Sequence, residues 1–355
     1  MVRTTKTGGV KMIYDGTPVE VNGKKTCPNT GTASRLANIS VFNPSSNSPA
    51  YVGYMYGNRV YSIKEKYHNS ASLEETGILY GNDVEWTGTE YRLKAKPSES
   101  LYSSTGTWNT DRTSIGDKNH YTCFNKEGKC STVSYIYYTG SSVFAYYIDL
   151  SGGTKIEKVL ERMHKNEQPS TIKTTIENWF ETSNLNTSEN LKKIEDTVYC
   201  NDRSVADTNN GWSKDGNATN WMYYSSYPRQ NHGTPDLSCR QTPGNRDRFT
   251  YKDTVDGNGL LKYPVGLLTA DEINLAGGID SISNSDYYLN TGEEYWSFSP
   301  SFSQGDLAFD FYVYIDGALD GTFVEETYGI RPVVSLASGI ELTGLGTVES
   351  PFEVK

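Results

Sequence analysis

Residues 307–315 read LAFDFYVYI, residues 316–317 read DG, and residues 319–324 read LDGTFV. An unbroken run of β-branched and aromatic residues is typical of a strand, and Asp-Gly is a preferred turn of a two-residue hairpin. This stretch therefore predicts a long strand, a tight turn and a returning strand. Successive side chains of a strand point to opposite faces, so the long strand has two sides. Ala308, Asp310, Tyr312 and Tyr314 are predicted on one side, and Phe309, Phe311, Val313 and Ile315 on the other.

Strand-like runs lie on both sides of this hairpin. They occupy residues 10–14, 51–56, 135–138, 143–148, 294–300, 330–336 and 340–354. Helices are predicted between the early and the late strands, at 154–166, from Ser170 onward, at 189–198 and from Thr269 onward. Strands, then a few helices, then strands again predict an α+β protein that is β-rich with few helices.

Two of these helices carry clear start signals. Ser170 is a good N-cap, and the residues after it form an apolar stripe at i, i+4, i+7 and i+8. That stripe consists of Ile172, Ile176, Trp179 and Phe180. Thr269 and Glu272 are spaced as a capping box, and Gly277 is the expected stop. The apolar stripe is typical of a helix that faces a core.

The middle of the chain has the signals of a separate unit. Residues 78–150 are strand-like, with turns of their own and with two cysteines, Cys123 and Cys130. We therefore predict one main domain, made of residues 1–77 and 151–355, with residues 78–150 as an inserted β-rich subdomain. The sequence shows no clear internal repeat.

The composition is typical of a β-rich extracellular protein. The chain has 355 residues and is 35% hydrophobic, and its polar surplus includes serine, threonine, asparagine and glycine, beside 27 tyrosines. Tyrosine suits half-buried strands and also recognition surfaces. A net charge of −10 repels phosphate backbones, so we expect no nucleic-acid partner. No run of about 20 apolar residues could span a membrane. The chain opens directly into strand-like sequence, so we expect a longer precursor that carries the signal or anchor.

The five cysteines favour disulfides over a metal site. Cys123 and Cys130 flank a hairpin-like tip, Cys200 and Cys239 would close a longer loop, and Cys27 is left over. Each bridge would contribute roughly 2–4 kcal/mol. Zinc is the alternative, but neither CxxC nor HxxxH spacing occurs. Disulfides imply an oxidising compartment, so the expected location is extracellular or at the cell surface.

Three late motifs follow one another in a fixed order. They are YPVGLLTADE at 263–272, YWSFSP at 295–300 and GIRPVVSL at 329–336. In this order the chain resembles bacterial secreted and phage-associated proteins that carry a C-type-lectin-like domain. It is more distantly similar to the fold of the formylglycine-generating sulfatase-modifying enzymes. Residues 8–16, 51–57 and 199–204 match the same bacterial group, so the resemblance covers most of the chain apart from 78–150.

The resemblance implies a short helix, a Trp-bearing strand and a closing strand that contains Arg331. Arg331 precedes Pro332, and we interpret its guanidinium as a structural clamp on buried carbonyls or carboxylates, in preference to a ligand contact. Some relatives of this fold are variable proteins of diversity-generating retroelements, which rewrite adenine-containing codons in the late segment. Residues 301–327 contain the residue types that such rewriting yields.

Several signals of catalysis are missing. Oxidase-type members of the formylglycine-generating group use paired cysteines late in the chain, whereas no cysteine follows Cys239. Neither a Gly-x-Ser-x-Gly elbow nor a phosphate-binding fingerprint occurs, and a glycosidase pair cannot be chosen from sequence. The run at 168–170, QPS, lacks the acid of a calcium-dependent sugar site. We expect no catalytic residue and no cofactor, with a structural calcium ion near Asp202 and Asp207 as the one alternative.

In proteins of this fold the late strands and their loops usually form the binding surface, held by a rigid scaffold. The resemblance therefore implies a surface within 301–327. Aromatic anchors among small polar residues are typical of a paratope. The predicted ligand-binding residues are Phe302, Ser303, Asp306, Phe309, Asp310, Tyr314, Ile315 and Phe323. Ordinary packing within a sheet is the alternative for each of them.

The leading functional hypothesis is an extracellular ligand-binding or adhesion module. It would bind a protein or glycan on another cell or on a host surface, with a ligand choice that a retroelement diversifies. The alternative is a structural tip or stalk domain of a pilus or phage fibre, without catalytic activity. An enzyme is the third hypothesis.

Overall fold

The structure is a computed structural model that describes most of the chain outside its middle segment. Side chains are described within residues 2–17, 20, 22, 35–46, 48–57, 162–206, 221–239, 246–304, 307–345, 350 and 353–354. For the strands at 19–26 and for those between residues 58 and 161, we describe the backbone. Among all these residues, no helix combines the length and the apolar character needed to cross a bilayer.

Short strands dominate the fold and a few helices lie between them, so the protein is α+β. The strands are β1 (Arg3–Thr4), β2 (Val10–Ile13), β3 (Val19–Val21), β4 (Lys24–Thr26), β5 (Asn38–Val41), β6 (Met55–Tyr56), β7 (Val60–Tyr67), β8 (Glu74–Tyr80), β9 (Val84–Trp86), β10 (Tyr91–Leu93), β11 (Thr107–Trp108), β12 (Thr132–Thr139), β13 (Ser142–Asp149), β14 (Gln168–Pro169), β15 (Tyr199–Cys200), β16 (Trp221–Tyr223), β17 (Arg248–Phe249), β18 (Tyr295–Gln304), β19 (Leu307–Val313), β20 (Leu319–Phe323), β21 (Thr327–Ile330), β22 (Val333–Leu336), β23 (Leu342–Thr343) and β24 (Glu353–Val354). The α-helices are α1 (Thr171–Thr182), α2 (Ser188–Leu191), α3 (Ser226–Asn231) and α4 (Ala270–Ala276), and 3₁₀ helices cover Pro49–Val52 and Asn184–Asn186.

The chain forms two compact units. The first consists of residues 1–56, 168–211 and 220–355, and the second of residues 57–167 and 212–219. In the second unit, five strands form one sheet in the order β11-β12-β13-β7-β8. The predicted insertion begins at residue 78, but this unit begins earlier, because β7 pairs with both β8 and β13. Strands were predicted at 135–138 and 143–148, and both runs lie within the β12–β13 hairpin.

The largest sheet of the first unit is built around β18. Its strand order is β20-β19-β18-β21-β5, and β16 also pairs with β18. The pairing of β18 with β21 is parallel, while its pairings with β19 and β16 are antiparallel. A bulge shifts the β18–β19 register on both sides of Pro300. The predicted hairpin of β19 and β20 is confirmed, with Gly317 in its turn at a φ of 87°.

Aromatic side chains pack densely around β18. Trp296 donates its indole N–H to the Ser40 carbonyl at 2.8 Å and meets the Phe42 ring edge-on, with ring centroids 5.7 Å apart. Phe298 meets Tyr54 in the same manner at 4.5 Å. Edge-to-face pairs at such separations are favourable beyond the burial of their area. The core of the first unit therefore lies against this strand.

The helix starts predicted at Ser170 and Thr269 are confirmed. The Ser170 hydroxyl accepts a hydrogen bond from the backbone N–H of Lys173, and α1 follows from there. Thr269 and Glu272 form a reciprocal capping box at α4, which ends at Gly277 with a φ of 127°. Glycine adopts this conformation without the steric cost that a Cβ would add.

The strand predicted at 51–56 is wrong for most of its length. This segment contains the end of the 3₁₀ helix Pro49–Val52, and only Met55–Tyr56 pair as a strand. The Ser48 side chain accepts from a backbone N–H of the turn, and proline at the first position favours a helical turn. A local cap thus outweighs the strand preference of the aromatic residues.

The helix predicted at 189–198 is much shorter than expected. It ends at Leu191, and the chain then forms an isolated β-bridge between Ile194 and Leu336. Pairing with β22 therefore replaces the helical hydrogen bonds that the sequence pattern predicted. The helix predicted at 154–166 lies mostly outside the described residues.

The disulfide predicted between Cys200 and Cys239 is confirmed, with Cα atoms 5.5 Å apart. It closes a loop across a sequence separation of 39 residues. Such a cross-link stabilises a domain by about 2–4 kcal/mol, largely by constraining the unfolded chain. Cys27, Cys123 and Cys130 lie outside the described residues, so the predicted bridge between the last two stays a prediction.

Arg331 is a structural clamp, as the sequence predicted. Its guanidinium donates to the carbonyl oxygens of Tyr14 at 3.1 Å and Leu289 at 2.6 Å. It also pairs with Asp15 at 2.7 Å and lies 4.9 Å from the centre of the Tyr295 ring. Arg331 therefore ties an early loop and a late loop to the central strand.

We expect Arg331→Met to lower the free energy of unfolding by about 3 kcal/mol, because the change leaves buried acceptors without a donor. Urea unfolding followed by tryptophan fluorescence measures this. Lys262→Met is the control, because Lys262 and Glu181 form an exposed ion pair that contributes little. Equal unfolding midpoints for the two variants would contradict the role assigned to Arg331.

Candidate ligand-binding surface

Four aromatic residues lie opposite one another on four neighbouring strands. Tyr223 of β16 pairs with Phe302 of β18. Phe302 in turn pairs with Phe309 of β19, and Phe309 pairs with Phe323 of β20. Directly paired residues share one face of a sheet, so their side chains are close enough to interact. Strand register alone therefore assembles a row of aromatic rings.

Two further aromatic residues join this row. We call the whole set the aromatic cluster, which consists of Trp221, Tyr223, Tyr227, Phe302, Phe309 and Phe323. The ring centroids are 4.2 Å apart for Phe302 and Phe309, and 4.7 Å apart for Trp221 and Phe302. Tyr223 and Tyr227 stack at 4.4 Å. Each such pair contributes about 0.5–1.5 kcal/mol beyond its buried area, so the rings hold one another in place.

The aromatic cluster reaches solvent at its rim. Trp221 is 42% exposed and three other members are half-buried, whereas Phe302 and Phe309 at the centre are only 8% and 7% exposed. The two central rings therefore act mainly as support for the outer ones. Stiff aromatic side chains supply contact area at a low entropy cost, so a partner would meet a surface formed in advance.

Two carboxylates, Asp280 and Asp320, lie beside the start of β20. The ring of Tyr227 stacks on Phe311 at 6.2 Å, and Asp280 forms a bridge with Leu319, the residue before Asp320. Burial raises the pKa of Asp280, and the negative charge of Asp320 raises it further. Neither carboxylate forms an ion pair with a cation in the described part of the chain. Asp320 pairs with Tyr312, so its side chain lies on the face of the sheet opposite the aromatic rings.

Of the predicted ligand residues, Phe302, Phe309 and Phe323 meet in the aromatic cluster. Tyr314 and Ile315 are 42% and 54% exposed, but they lie beyond the last pair of the β19–β20 hairpin, at its tip. The exposed residues of the predicted segment thus fall into two places, the rim of the cluster and the hairpin tip.

The predicted residues Ser303 and Asp310 do not reach the surface. Both were predicted to bind a ligand, but both side chains are fully buried. Ala308 and Asp310 have no exposed area, because β19 is an inner strand covered on both faces. Tyr312, on the same side, stacks on Tyr328 at 4.4 Å. Asp306, also predicted to bind a ligand, lies outside the described residues.

Sequence reasoning missed Trp221, Tyr223, Tyr227 and Asp280, all of which lie outside 301–327. Residues 221–227 read WMYYSSY, and this density of aromatic residues is the signal that could have found three of them. Their position beside β18 depends on a strand pairing across about eighty residues of sequence, which no local pattern encodes. Asp280 has no comparable sequence signal.

Asp310 is a buried acid without a hydrogen-bond partner among the described residues. Burial raises the pKa of its carboxyl group well above the usual range. An ionised carboxylate in apolar surroundings is costly, so the group holds its proton to a higher pH than an exposed aspartate does. Asp310 is therefore a source of pH-dependent stability within β19.

A separate cavity of about 400 Å³ lies beside the disulfide in the first unit. Two of its buried carboxylates, Asp271 and Glu272, form ion pairs with cations of the lining. Arg229 donates two hydrogen bonds of 2.9 Å to Asp271, and Lys11 and Arg3 each lie 2.6 Å from Glu272. Burial alone would raise the pKa of Glu272, but the two cations hold it below its usual value. These ion pairs join α4 to β1, β2 and α3 around the cavity.

The calcium alternative finds little support. Asp202 accepts hydrogen bonds from Ser204 and lies 3.1 Å from Arg229, so a cation already neutralises it. Asp207 lies outside the described residues. Across the described part of the chain, no group of three or more His, Cys, Asp or Glu side chains is placed to hold a metal ion.

In the native chain, Asp310 should lower the free energy of unfolding as the pH rises. We expect the variant Asp310→Asn to lack this effect. The folded-state pKa of Asp310 is raised, so the unfolded chain loses this proton at a lower pH than the folded chain does. Above about pH 4 the group therefore lowers the free energy of unfolding, by at most about 1.4 kcal/mol per pH unit. Urea unfolding at pH 4, 5.5 and 7 measures the free energy of unfolding of both proteins. The value for Asp310→Asn should rise relative to that of the native chain as the pH rises. A constant difference between the two proteins would contradict the assignment, because all other carboxyl groups are common to both.

Comparison with known proteins adds no family to this picture. No family model, no curated protein and no solved structure matches the chain. What the chain does is therefore inferred from its geometry, in which a supported row of aromatic rings reaches solvent.

Proposed function

We propose that this chain is an extracellular ligand-binding or adhesion module, and that the aromatic cluster is its contact surface for a protein or glycan. One observation carries the proposal. The register of β16, β18, β19 and β20 places aromatic rings side by side while their rim stays in water. Aromatic anchors of this kind are typical of binding hot spots. Rings that are already fixed lose little freedom when a partner binds.

We also propose that the first unit has a C-type-lectin-like fold. The three motifs behind that resemblance are close in space. The backbone N–H of Ala270, in α4, donates to Ser299 of β18 at 3.0 Å, and Tyr295 of β18 pairs with Gly329 of β21. The early strand β2 pairs with β22, so the two ends of the unit share a sheet. A short helix, a Trp-bearing strand and a closing strand thus pack together, as the proposed fold requires.

The proposed location outside the cell is supported by the disulfide between Cys200 and Cys239, because such bridges persist in oxidising compartments. Diversification of residues 301–327 by a retroelement is part of the same proposal. A template repeat near the gene, differing from the coding sequence only at adenines, would support it. A locus without such a repeat would remove this part and leave the binding surface unaffected.

An enzymatic role is less well supported by the cavity. Asp271 accepts hydrogen bonds from Arg229, from Gln230 and from the backbone of Asp236. Glu272 is bound by two cations and by its own capping box. A general acid or base needs a carboxyl group that can exchange a proton with a substrate. Both of these carboxylates are committed to partners within the protein.

We expect Trp221→Ser to weaken binding to cells or to an arrayed glycan about tenfold or more, because it removes the most exposed ring of the aromatic cluster. Saturation binding of the labelled chain to whole cells, together with a glycan array, provides the measurement. The thermal midpoint of unfolding should fall by only a few degrees, because the variant loses the ring contacts to Tyr223 and Phe302 while the frame of the sheet is kept.

Tyr288→Ser is the matched control. Tyr288 is 55% exposed, and it lies outside the aromatic cluster. We expect this variant to bind within about twofold of the native chain. Equal losses for both variants would contradict the proposal. If only Tyr314→Ser lost binding, the contact surface would lie at the hairpin tip instead. An assembly contact with fibre or pilus subunits through Trp221 would favour the structural role.

A further inference from the structure

We propose that the outer edge of β20 binds a short extended segment of a partner polypeptide, which pairs parallel to β20 and places an apolar side chain beside Phe323. This inference rests on the proposed function and adds the class of the partner, because the added strand would continue the row of rings in the aromatic cluster. We call the backbone C=O of Gly321 and the backbone N–H of Phe323 the edge pair.

The first step is the direction in which the backbone groups of β20 point. β20 is the last strand on its side of the sheet. Just after it, Val324 donates its backbone N–H to the carbonyl of Ala308 in β19 at 3.2 Å. Bonded and non-bonded residue pairs alternate along an antiparallel ladder, so the even-numbered residues of β20 bond to β19. The backbone groups of Leu319, Gly321 and Phe323 therefore point away from β19.

Leu319 shows that this edge accepts an added segment. Its N–H donates to the carbonyl of Ile279 at 3.0 Å, and its carbonyl accepts from the N–H of Ser281 at 2.8 Å. The resulting bridge between Asp280 and Leu319 is parallel. The added segment then turns away, since the N–H of Ile282 bonds back to Ile279. Beyond Leu319, no other strand of the described residues pairs with this edge.

Two other backbone groups of this edge are bonded within the chain. The N–H of Gly321 donates to the side chain of Asp320 at 2.7 Å, and the carbonyl of Phe323 accepts from the N–H of Glu326 at 3.0 Å. The two groups of the edge pair have no hydrogen-bond partner among the described residues. Backbone groups that leave water need a partner, so a ligand that covers this edge must bond to both.

The edge pair matches one residue of a parallel strand. At the existing bridge, Leu319 bonds to the residues on either side of Asp280. A partner residue opposite Thr322 would bond in the same way, donating to Gly321 and accepting from Phe323. An antiparallel strand would need both backbone groups of Gly321 or both of Phe323, and one group of each is already bonded. The backbone thus favours an extended polypeptide and sets its direction, as in other cases of strand addition to a sheet edge.

The aromatic cluster sets the side chain that is preferred beside this edge. Side chains alternate between the faces along a strand, so the partner residue that follows the one opposite Thr322 lies on the face of Phe323. Phe323 is half-buried, and its ring centroid lies 4.3 Å from that of Phe309. Aromatic and β-branched side chains that are neighbours on one face stabilise paired strands. A residue of this kind in the partner would therefore lengthen the row of rings by one side chain.

The test begins with random linear peptides displayed on phage and selected on the intact chain. The chain is then prepared with isotope-labelled phenylalanine, of which it has 11 residues, so that few amide signals appear in the NMR spectrum. The signal of Phe323 is the one that the variant Phe323→Leu lacks. Hydrogen exchange of this amide is measured with and without a selected peptide. Phe298 is the internal control, because its N–H donates to Leu268 at 2.7 Å within the fold.

We expect the Phe323 amide to exchange about tenfold more slowly when the peptide is bound, while the Phe298 amide exchanges slowly in both states. The peptide is next synthesised with one N-methyl group at each residue in turn. Methylation of the residue that donates to Gly321 should raise the Kd about tenfold. Methylation of either neighbouring residue should change the Kd by about twofold or less, because their N–H groups point away from β20.

Phe323→Pro and Phe323→Leu form a matched pair of variants. Both lose the ring, but only proline also lacks the N–H of the edge pair. Proline is tolerated on an edge strand where the N–H points outward, and the thermal midpoint of each variant checks that it folds. We expect Phe323→Pro to bind the peptide about tenfold more weakly than Phe323→Leu does. If the proline variant does not fold, the N-methylated peptides still test the inference.

The outcomes separate this inference from the proposed function. Peptides that need Trp221, tolerate every N-methyl group and leave the exchange of Phe323 unchanged would overturn the inference and leave the binding surface in place. A selection without any binding peptide, while Trp221→Ser still loses binding to cells or glycans, would do the same. Slower exchange of Phe323 at high protein concentration without peptide would assign the edge to a second copy of the chain, against the inference. Peptides that protect Phe323 and bind Trp221→Ser unchanged would support the inference and exclude Trp221 from the contact.

Discussion

Burial of β18 on both faces is the constraint on which the first unit depends. Every residue from Tyr295 to Ser303 is buried, so this strand can only exist if other elements cover both of its sides. Serines alternate with aromatic residues along it, and the small serines let helix α4 approach closely enough to bond Ser299. Pairing with β18 sets the positions of its neighbours β16, β19 and β21. The row of rings that forms the candidate surface is a consequence of their register.

The same burial distinguishes the rings that support the candidate surface from those that could touch a partner. Phe302 and Phe309 are central and almost fully buried, so they fix the geometry of the surface more than they touch a partner. Trp221 lies at the rim, where it contributes contact area without holding the sheet together. A surface built in this way can change its outer residues while the frame stays intact, provided that the inner rings are kept. The burial of β19 also encloses the carboxyl group of Asp310, whose pKa it raises. At a pH above the pKa of this group in the unfolded chain, Asp310 therefore lowers the free energy of unfolding.

Local signals in the sequence predicted the local elements well. The Asp-Gly pair predicted the β19–β20 hairpin, Thr269 and Glu272 predicted the start of α4, and the guanidinium of Arg331 was expected to act as a clamp. These features depend on residues that are close in the chain or on one residue type with a specific geometry. The α+β class followed from the order of such elements.

The sequence did not predict which strands pair when they lie far apart in the chain. Alternation along β19 predicted which residues share a side, but nothing local to that strand indicates that Tyr328 stacks on Tyr312. The contribution of Trp221 to the surface depends on the pairing of β16 with β18, far apart in the chain. The predicted segment therefore contained three members of the aromatic cluster and missed the other three. The C-type-lectin-like fold, which the motif order predicted, stays a proposal.

The central claim is that the folded chain holds the rim of the aromatic cluster in water while its frame stays dry. Hydroxyl-radical footprinting with mass spectrometry measures this directly, because Trp221 and Trp296 lie in different tryptic peptides, at 215–229 and 263–355. Trp221 should be oxidised rapidly in the native chain, and Trp296, which is 1% exposed, should be oxidised only after unfolding. Equal protection of the two tryptophans in the native chain would contradict the account.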